Sequence, residues 1–208
     1  MPLTYDSTYN GLAILPEPNH GNYISILEAI RLRLQDMVNR HGNVLGLLLD
    51  LSLPWNAGCV PDNGLVQAFM GRFVGYLNTP GLGGPGHHYV WVRSQPAPDA
   101  QPHWHVLVLD SGRRCSLGGG YLEVASRLWG EVLGGIEGRG LVSVCHWSVT
   151  PASRSPSPGS GGILIQRDAP DFSAAYGLLF AQASHLASAR EEGFAPVGLR
   201  RFSASHLL

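Results

Sequence analysis

The residues best suited to chemistry are His103 and His105, which flank Trp104 in the run HWHVLVL. On a strand, side chains two apart project from one face while the residue between them points to the other. Two imidazoles held side by side on a rigid strand make half of a divalent-metal site, because neutral imidazole nitrogen ligates first-row metals well. On its own the triplet reads more simply as two ordinary strand histidines, so further donors matter. Asp50 interrupts the apolar run VLGLLLDLSL, where a carboxylate must stand at an accessible strand end or have a partner, since an unpaired buried charge is costly. Cys145 and His146 are further candidate ligands, although as neighbours on one strand they point to opposite sides. Two arginine pairs, Arg113-Arg114 and Arg200-Arg201, carry planar forks that suit phosphate oxygens, and they fit a solvated turn and tail equally well. Trp91, Trp129 and Trp147 are able to stack on bases, but their strand and helix-face spacing assigns them to a core.

These side chains need a frame. Ser25 and Glu28 have capping-box spacing, and Tyr23, Leu27, Ile30, Leu34 and Met37 recur at helical intervals until His41-Gly42-Asn43 stops them. Val44 to Leu53 is short and almost continuously apolar up to Pro54, which predicts a central strand. Asp62 caps a second helix marked by Leu65, Phe69, Phe73 and Leu77. His88 to Arg93 and His103 to Leu109 are β-branched and aromatic strands, a hairpin joined by the long loop SQPAPDAQP. Tyr121 to Val132 predicts a third helix, with Leu141 to Val149 and Ile163 to Gln166 as later strands. Asp171 caps a last helix running to about Arg190, with Phe172, Ala175, Leu179, Ala183 and Leu186 as its core face. Paired strands between helices predict an α+β fold, a central and mostly antiparallel β-sheet of about five strands flanked by helices. Residues 1–20 read as an N-terminal arm laid on a domain of residues 21–208, and TPASRSPSPGSGG predicts a flexible loop at 150–161.

Composition narrows the functional classes. With 208 residues, 44% of them hydrophobic and 14% charged, the chain buries a core without staples and is too apolar for a disordered one. Cys59, Cys115 and Cys145 are odd in number and outside any CxxC spacing, so they predict buried thiols rather than a disulfide framework. No apolar run approaches the roughly 18 residues of a membrane span, and the start of the chain lacks the pattern of a signal peptide. Both predict a cytoplasmic protein with no membrane partner. The formal net charge is −1, and all 14 basic residues are arginine. Such a chain has no global electrostatic footprint for nucleic acid, so DNA contact has to rest on local arginine clusters or on assisting partners.

The segments RHGNVLGLLLDLSLP, HYVWVRSQ, PHWHVLVLDSG and SRLWGEVLG follow one another in this order, and the chain closes on LRRFSASHL, an Arg-aromatic-small-Ser pattern. Over about residues 20 to 208 this resembles the YagK/YfjJ C-terminal domain family, the inovirus-type replication proteins, which are similar in turn to the HUH (His-hydrophobe-His) initiators of rolling-circle replication. The resemblance implies a DNA-binding protein of a bacterial mobile element or prophage. It implies His103 and His105 as ligands of Mg or Mn, and single-stranded or hairpin DNA as partner. Replication or regulatory proteins of the element would be further partners. In such initiators a tyrosine on a C-terminal helix attacks the phosphorus while the metal offsets developing charge.

Two positions depart from that pattern. The family's WVREQ is here Trp91-Val92-Arg93-Ser94-Gln95, with Ser94 in place of the carboxylate that would be the third ligand. The family's SYLAK-like pattern is Ser184-His185-Leu186-Ala187-Ser188, so the tyrosine position is His185 and the lysine position Ser188. Tyr176, nine residues earlier, is rotated by about 180° from His185 on a continuous helix, and Tyr121 opens a different helix. The expectation is therefore a degenerate nuclease centre that binds DNA without nicking it through tyrosine, with a regulatory or replication-accessory role. His185 would face His103 and His105, and three imidazoles suit Zn better than Mg. Two other readings compete: an active metal-dependent single-strand endonuclease with another nucleophile, and a protein-interaction module without DNA contact.

Overall fold

The computed structural model describes residues 1–15, 19–55, 62–79, 86–95, 97, 100–111, 120–145, 162–192 and 198–207. In chain order the elements are β1 (Leu3–Thr4), β2 (Thr8–Tyr9), β3 (Leu12–Ala13), β4 (Asn22–Tyr23), α1 (Ile24–Arg40), β5 (Asn43–Leu51), α2 (Asn63–Leu77), β6 (His88–Ser94), β7 (His103–Asp110), α3 (Tyr121–Val132), β8 (Val142–Val144), β9 (Gly162–Gln166), α4 (Phe172–Ala183) and β10 (Phe202–Ala204). Two short 3₁₀ turns, Ser184–Ala187 and Ala189–Glu192, follow α4. Among the described residues no helix is long and apolar enough to cross a membrane.

Six strands form one antiparallel sheet in the order β10-β6-β7-β5, and β8 and β9 share the outer edge of β5. The fold is α+β, as the alternation of helices and paired strands predicts. β5 is almost continuously apolar because both of its faces are covered. Leu45, Leu47, Leu49 and Leu51 pack with Trp91, Trp104, Val106 and Val108 against α2 and α3. Val44 and Leu48 pack with Val90, Val92, Leu107 and Leu109 against α1 and α4. Each large side chain buried in these two cores contributes roughly 1.5–3 kcal/mol. Trp91 and Trp129 are core residues on the α2/α3 side, and Trp129 donates its indole N–H to the Ser52 carbonyl at 2.7 Å.

Several boundaries differ from the sequence reading. The sixth strand, β10, is an addition to it, because three residues carry no periodic signature. It pairs with β6, and Ser205 just beyond it is clamped. The Ser205 hydroxyl lies 2.7 Å from His88 Nδ1, His88 Nε2 lies 2.6 Å from Asp36 Oδ2, and Arg33 donates to the Ser205 carbonyl at 2.8 Å. Burial lowers the pKa of His88, so its ring is neutral. The Asp36 carboxylate accepts the Nε2 proton, and Nδ1 accepts the hydroxyl of Ser205. The Ser25/Glu28 capping box is not formed: Tyr23 occupies the N-cap of α1 without a side-chain bond, and Glu28 is taken by Arg31 at 2.6 Å and by the Tyr9 hydroxyl at 2.9 Å. Asp62 does cap α2, accepting from the Gly64 N–H, whereas Asp171 at the start of α4 makes no side-chain cap.

The last helix stops at Ala183 rather than near Arg190. Ser184 turns its hydroxyl back to the Ala181 carbonyl at 2.6 Å and accepts the Leu15 N–H at 2.8 Å, an alternative to the helical ladder that tightens the chain into a 3₁₀ turn. The arm is thereby tied down: β1 pairs with β4, β2 with β3, and Ile14 is buried in the α1/α4 core. The expected flexible loop at 150–161 lies outside the described residues.

At Gly46 the sheet and α4 approach closely. A Cβ there would stand 2.3 Å from Leu179 Cδ2 and 2.5 Å from Cδ1. Leu179 is itself fully buried, so its side chain has little room to retreat. Gly46→Ala should cost about 1–3 kcal/mol of stability and Gly46→Val more, read from urea denaturation midpoints with an unchanged m-value.

Candidate metal centre

The alternation of β7 decides which side chains meet. Trp104, Val106 and Val108 face α2 and α3, so His103 and His105 face the α1/α4 side together with Leu107 and Leu109. The antiparallel register sets Asp50 of β5 opposite His105, and Ser94 of β6 opposite His103. The carboxylate thus comes from the neighbour on one side of β7, while the neighbour on the other side offers the fully buried Ser94. The Nε2 atoms of His103 and His105 are 3.2 Å apart, and His105 Nδ1 is 3.8 Å from Asp50 Oδ1.

Burial pushes the pKa of His105 down to about 3, with the nearby rings of His103 and His185 adding to the effect. Its imidazole is therefore neutral at neutral pH, the state that a metal ion requires of a ligand. Cys145 Sγ lies 4.0 Å from His105 Nδ1. Burial, and then the charge of Asp50, raise the pKa of that thiol, which keeps it protonated and weakly nucleophilic.

The donor set fits a divalent ion. Asp50, His103 and His105 each offer one ligand atom, and these atoms all lie within 4.8 Å of one another. Two nitrogens on one ion, each at about 2.1 Å and at angles of 90° to 109°, would be roughly 3.0–3.4 Å apart. The 3.2 Å between the two Nε2 atoms falls in that interval. His185, on the 3₁₀ turn after α4, brings its ring centroid to 5.9 Å from that of His105, beside the set rather than within it.

The other expected residues are distributed as follows. Arg200 is exposed, and Arg201 is half-buried with its guanidinium 4.6 Å above the ring of Tyr23. Arg113, Arg114, His146, Trp147, Cys59 and Cys115 lie outside the described residues. Tyr176 packs beside Phe172 at 5.9 Å against the α1/α4 core. Tyr121 lies in the α2/α3 core across the sheet and donates to Asp110 at 2.8 Å. Sequence reasoning misses the chain from Asp36 through His88 to Ser205, and also the buried cluster of His87, Asp110 and Tyr121, where His87 Nδ1 is 3.0 Å from Asp110. Partners separated by 52 or 117 positions leave no local signal.

No family model, curated protein or solved structure matches this chain.

The centre makes folding acid-sensitive. In the unfolded chain the His105 imidazole titrates near 6.5, while in the folded state it stays neutral down to about pH 3. Between those values the unfolded state binds the extra proton, so stability falls as pH drops from about 6.5 toward 3, by up to about 1.4 kcal/mol per pH unit. The lowered His88 acts in the same direction. Urea unfolding at about pH 7, 5.5 and 4 should give a falling midpoint in the wild type and a shallower fall in His105→Gln. Equal slopes would place the acid sensitivity elsewhere.

Proposed function

We propose that this is a DNA-binding protein of a bacterial mobile element, related to the HUH initiators of rolling-circle replication, that keeps a metal-binding His–Asp centre and lacks the tyrosine nucleophile. The observation that carries the reading is the juxtaposition on one sheet face of His103, His105 and Asp50, with His185 beside them on the turn after α4. In the resemblance that turn is where the tyrosine would stand. The two arginine pairs supply candidate phosphate contacts, and single-stranded or hairpin DNA is the partner. A regulatory or replication-accessory role follows from binding without cutting.

Two imidazoles and a carboxylate suit Mn or Zn better than Mg, which prefers oxygen ligands and retains its waters. Bound there, a divalent ion supplies positive charge that draws a phosphodiester oxygen to the centre. The chain's own residues do the positioning: His105 presents a neutral ring held by burial, and Asp50 adds the negative charge. Three of the seven tyrosines are engaged elsewhere. Tyr9 donates to Glu28, Tyr121 donates to Asp110, and Tyr176 packs near Phe172. With His185 at the position where the resemblance places the nucleophile, covalent capture of a 5′-phosphate by tyrosine is not part of the proposed function.

Fluorescence anisotropy with a labelled hairpin oligonucleotide should show binding that weakens at least about tenfold between 50 and 200 mM salt. Incubation with Mn²⁺ should leave no protein–DNA adduct on a denaturing gel. Binding that is absent even at low salt would remove the DNA reading and leave a protein-interaction module. A tyrosine-linked adduct would show that the nuclease centre is intact.

A further inference from the structure

We infer that the groove between α1 and the C-terminal strand β10 is a track for the phosphates of a single nucleic-acid strand, leading to the His–Asp centre. The inference rests on the DNA-binding reading above and adds to it where the strand runs. Arg33, Arg200, Arg201 and His206 stand around a groove whose floor is largely apolar, with Leu32 and Phe202 among its lining residues. One acid, Glu28, borders it, and both of its carboxylate oxygens are bound by Arg31, at 2.6 and 2.8 Å. The groove therefore has three guanidiniums against one carboxylate that is already neutralised.

Arg33 is the most telling of these residues. Its guanidinium bonds the carbonyl oxygens of Ala29 and Ser205, through Nη1 to the first and through Nε and Nη2 to the second. A guanidinium has five N–H groups, so one on each terminal nitrogen is left over from these bonds. Both of these partners are neutral carbonyls, and burial, the largest influence on its pKa, is offset by no carboxylate. A half-buried cation held by neutral partners gains from an anion brought alongside, and phosphate is one of the two anions, with carboxylate, whose geometry an arginine fork matches.

Position supports a strand rather than an isolated anion. Arg201 accepts the Arg93 N–H on its carbonyl, so the arginine pair leads into β10 level with the end of β6 that carries Ser94. In the sheet order, β6 separates β10 from β7, so the pair stands two strand spacings, about 10 Å, from the level of His103 and His105. α1 covers the same sheet face that the two histidines occupy. The groove wall is also rigid, because Ser205 is clamped to His88 and Arg33. Exposed Arg200 and His206 at its mouth have the freedom to follow successive phosphates.

The test is anisotropy with a fluorescein-labelled oligothymidylate of about twelve nucleotides, in EDTA, across a salt series. Arg200→Glu should weaken binding about tenfold at low salt and lower the log–log salt slope by roughly 0.7 for each phosphate that is no longer neutralised. Arg33→Gln should act in the same direction, with its thermal unfolding measured alongside because it also holds the Ser205 carbonyl. Arg139→Gln, at an exposed arginine between α3 and β8 and away from the groove, should stay within twofold of wild type. If wild type binds and Arg200→Glu and Arg33→Gln both stay within twofold, the track is overturned and the DNA reading stands. If wild type does not bind at low salt, both fall.

Discussion

Asp50 stands directly opposite His105 in the ladder between β5 and β7, and because side chains alternate with a strict period of two, that single register decides what lies on each face of the sheet. A slip of one residue would send Asp50 into the α2/α3 core among Phe69, Phe73 and Trp129, where a carboxylate would be stranded. It would also put leucine beside His105 in place of an acid. The apolar cores on the two faces thus hold the polar centre in place: the leucines of β5 cannot be buried correctly unless the carboxylate and the imidazole meet.

The two ends of β7 show how differently buried polar groups are treated. At its far end Asp110 is fully buried; burial opposes its ionisation, but bonds from His87 and Tyr121 hold its carboxyl below the usual range. The Tyr121 hydroxyl and the Ser111 N–H each donate to it at 2.8 Å, so the protein itself meets its needs. At the near end His103 and His105 turn nitrogen toward nitrogen, and both Asp50 and His103 keep partial exposure. A closed network of donors and acceptors stabilises a fold. At the near end, by contrast, two imidazoles and a carboxylate lie close enough together to meet on one divalent ion.

Much of the frame is legible in the sequence because it depends on local periodicity. The helix around Leu27 and Leu34, the cap at Asp62, the hairpin of β6 and β7 and the shared face of the two histidines all follow from spacing alone. Periodicity carries the last helix too far, since a serine hydroxyl returning to Ala181 competes with the helical ladder only once the arm supplies Leu15 as a second partner. Asp50 can be read as needing a partner but not which one, because the partner is a matter of strand order. The same holds for His88, whose neighbours Asp36 and Ser205 come from the two ends of the chain.

The Ser184 hydroxyl joins two regions that sequence alone would treat separately. It anchors the Leu15 end of the arm and ends α4, and the very next residue is His185. Asn22, at the close of the arm, bridges to Ser188 on the other side of the same turn, and the Ala189 N–H is taken by the Gly21 carbonyl. The arm therefore works as a brace: the turn that carries His185 is gripped before and after by the chain's first strands. The aim of that imidazole is set as much by residues near the start of the chain as by the helix that delivers it.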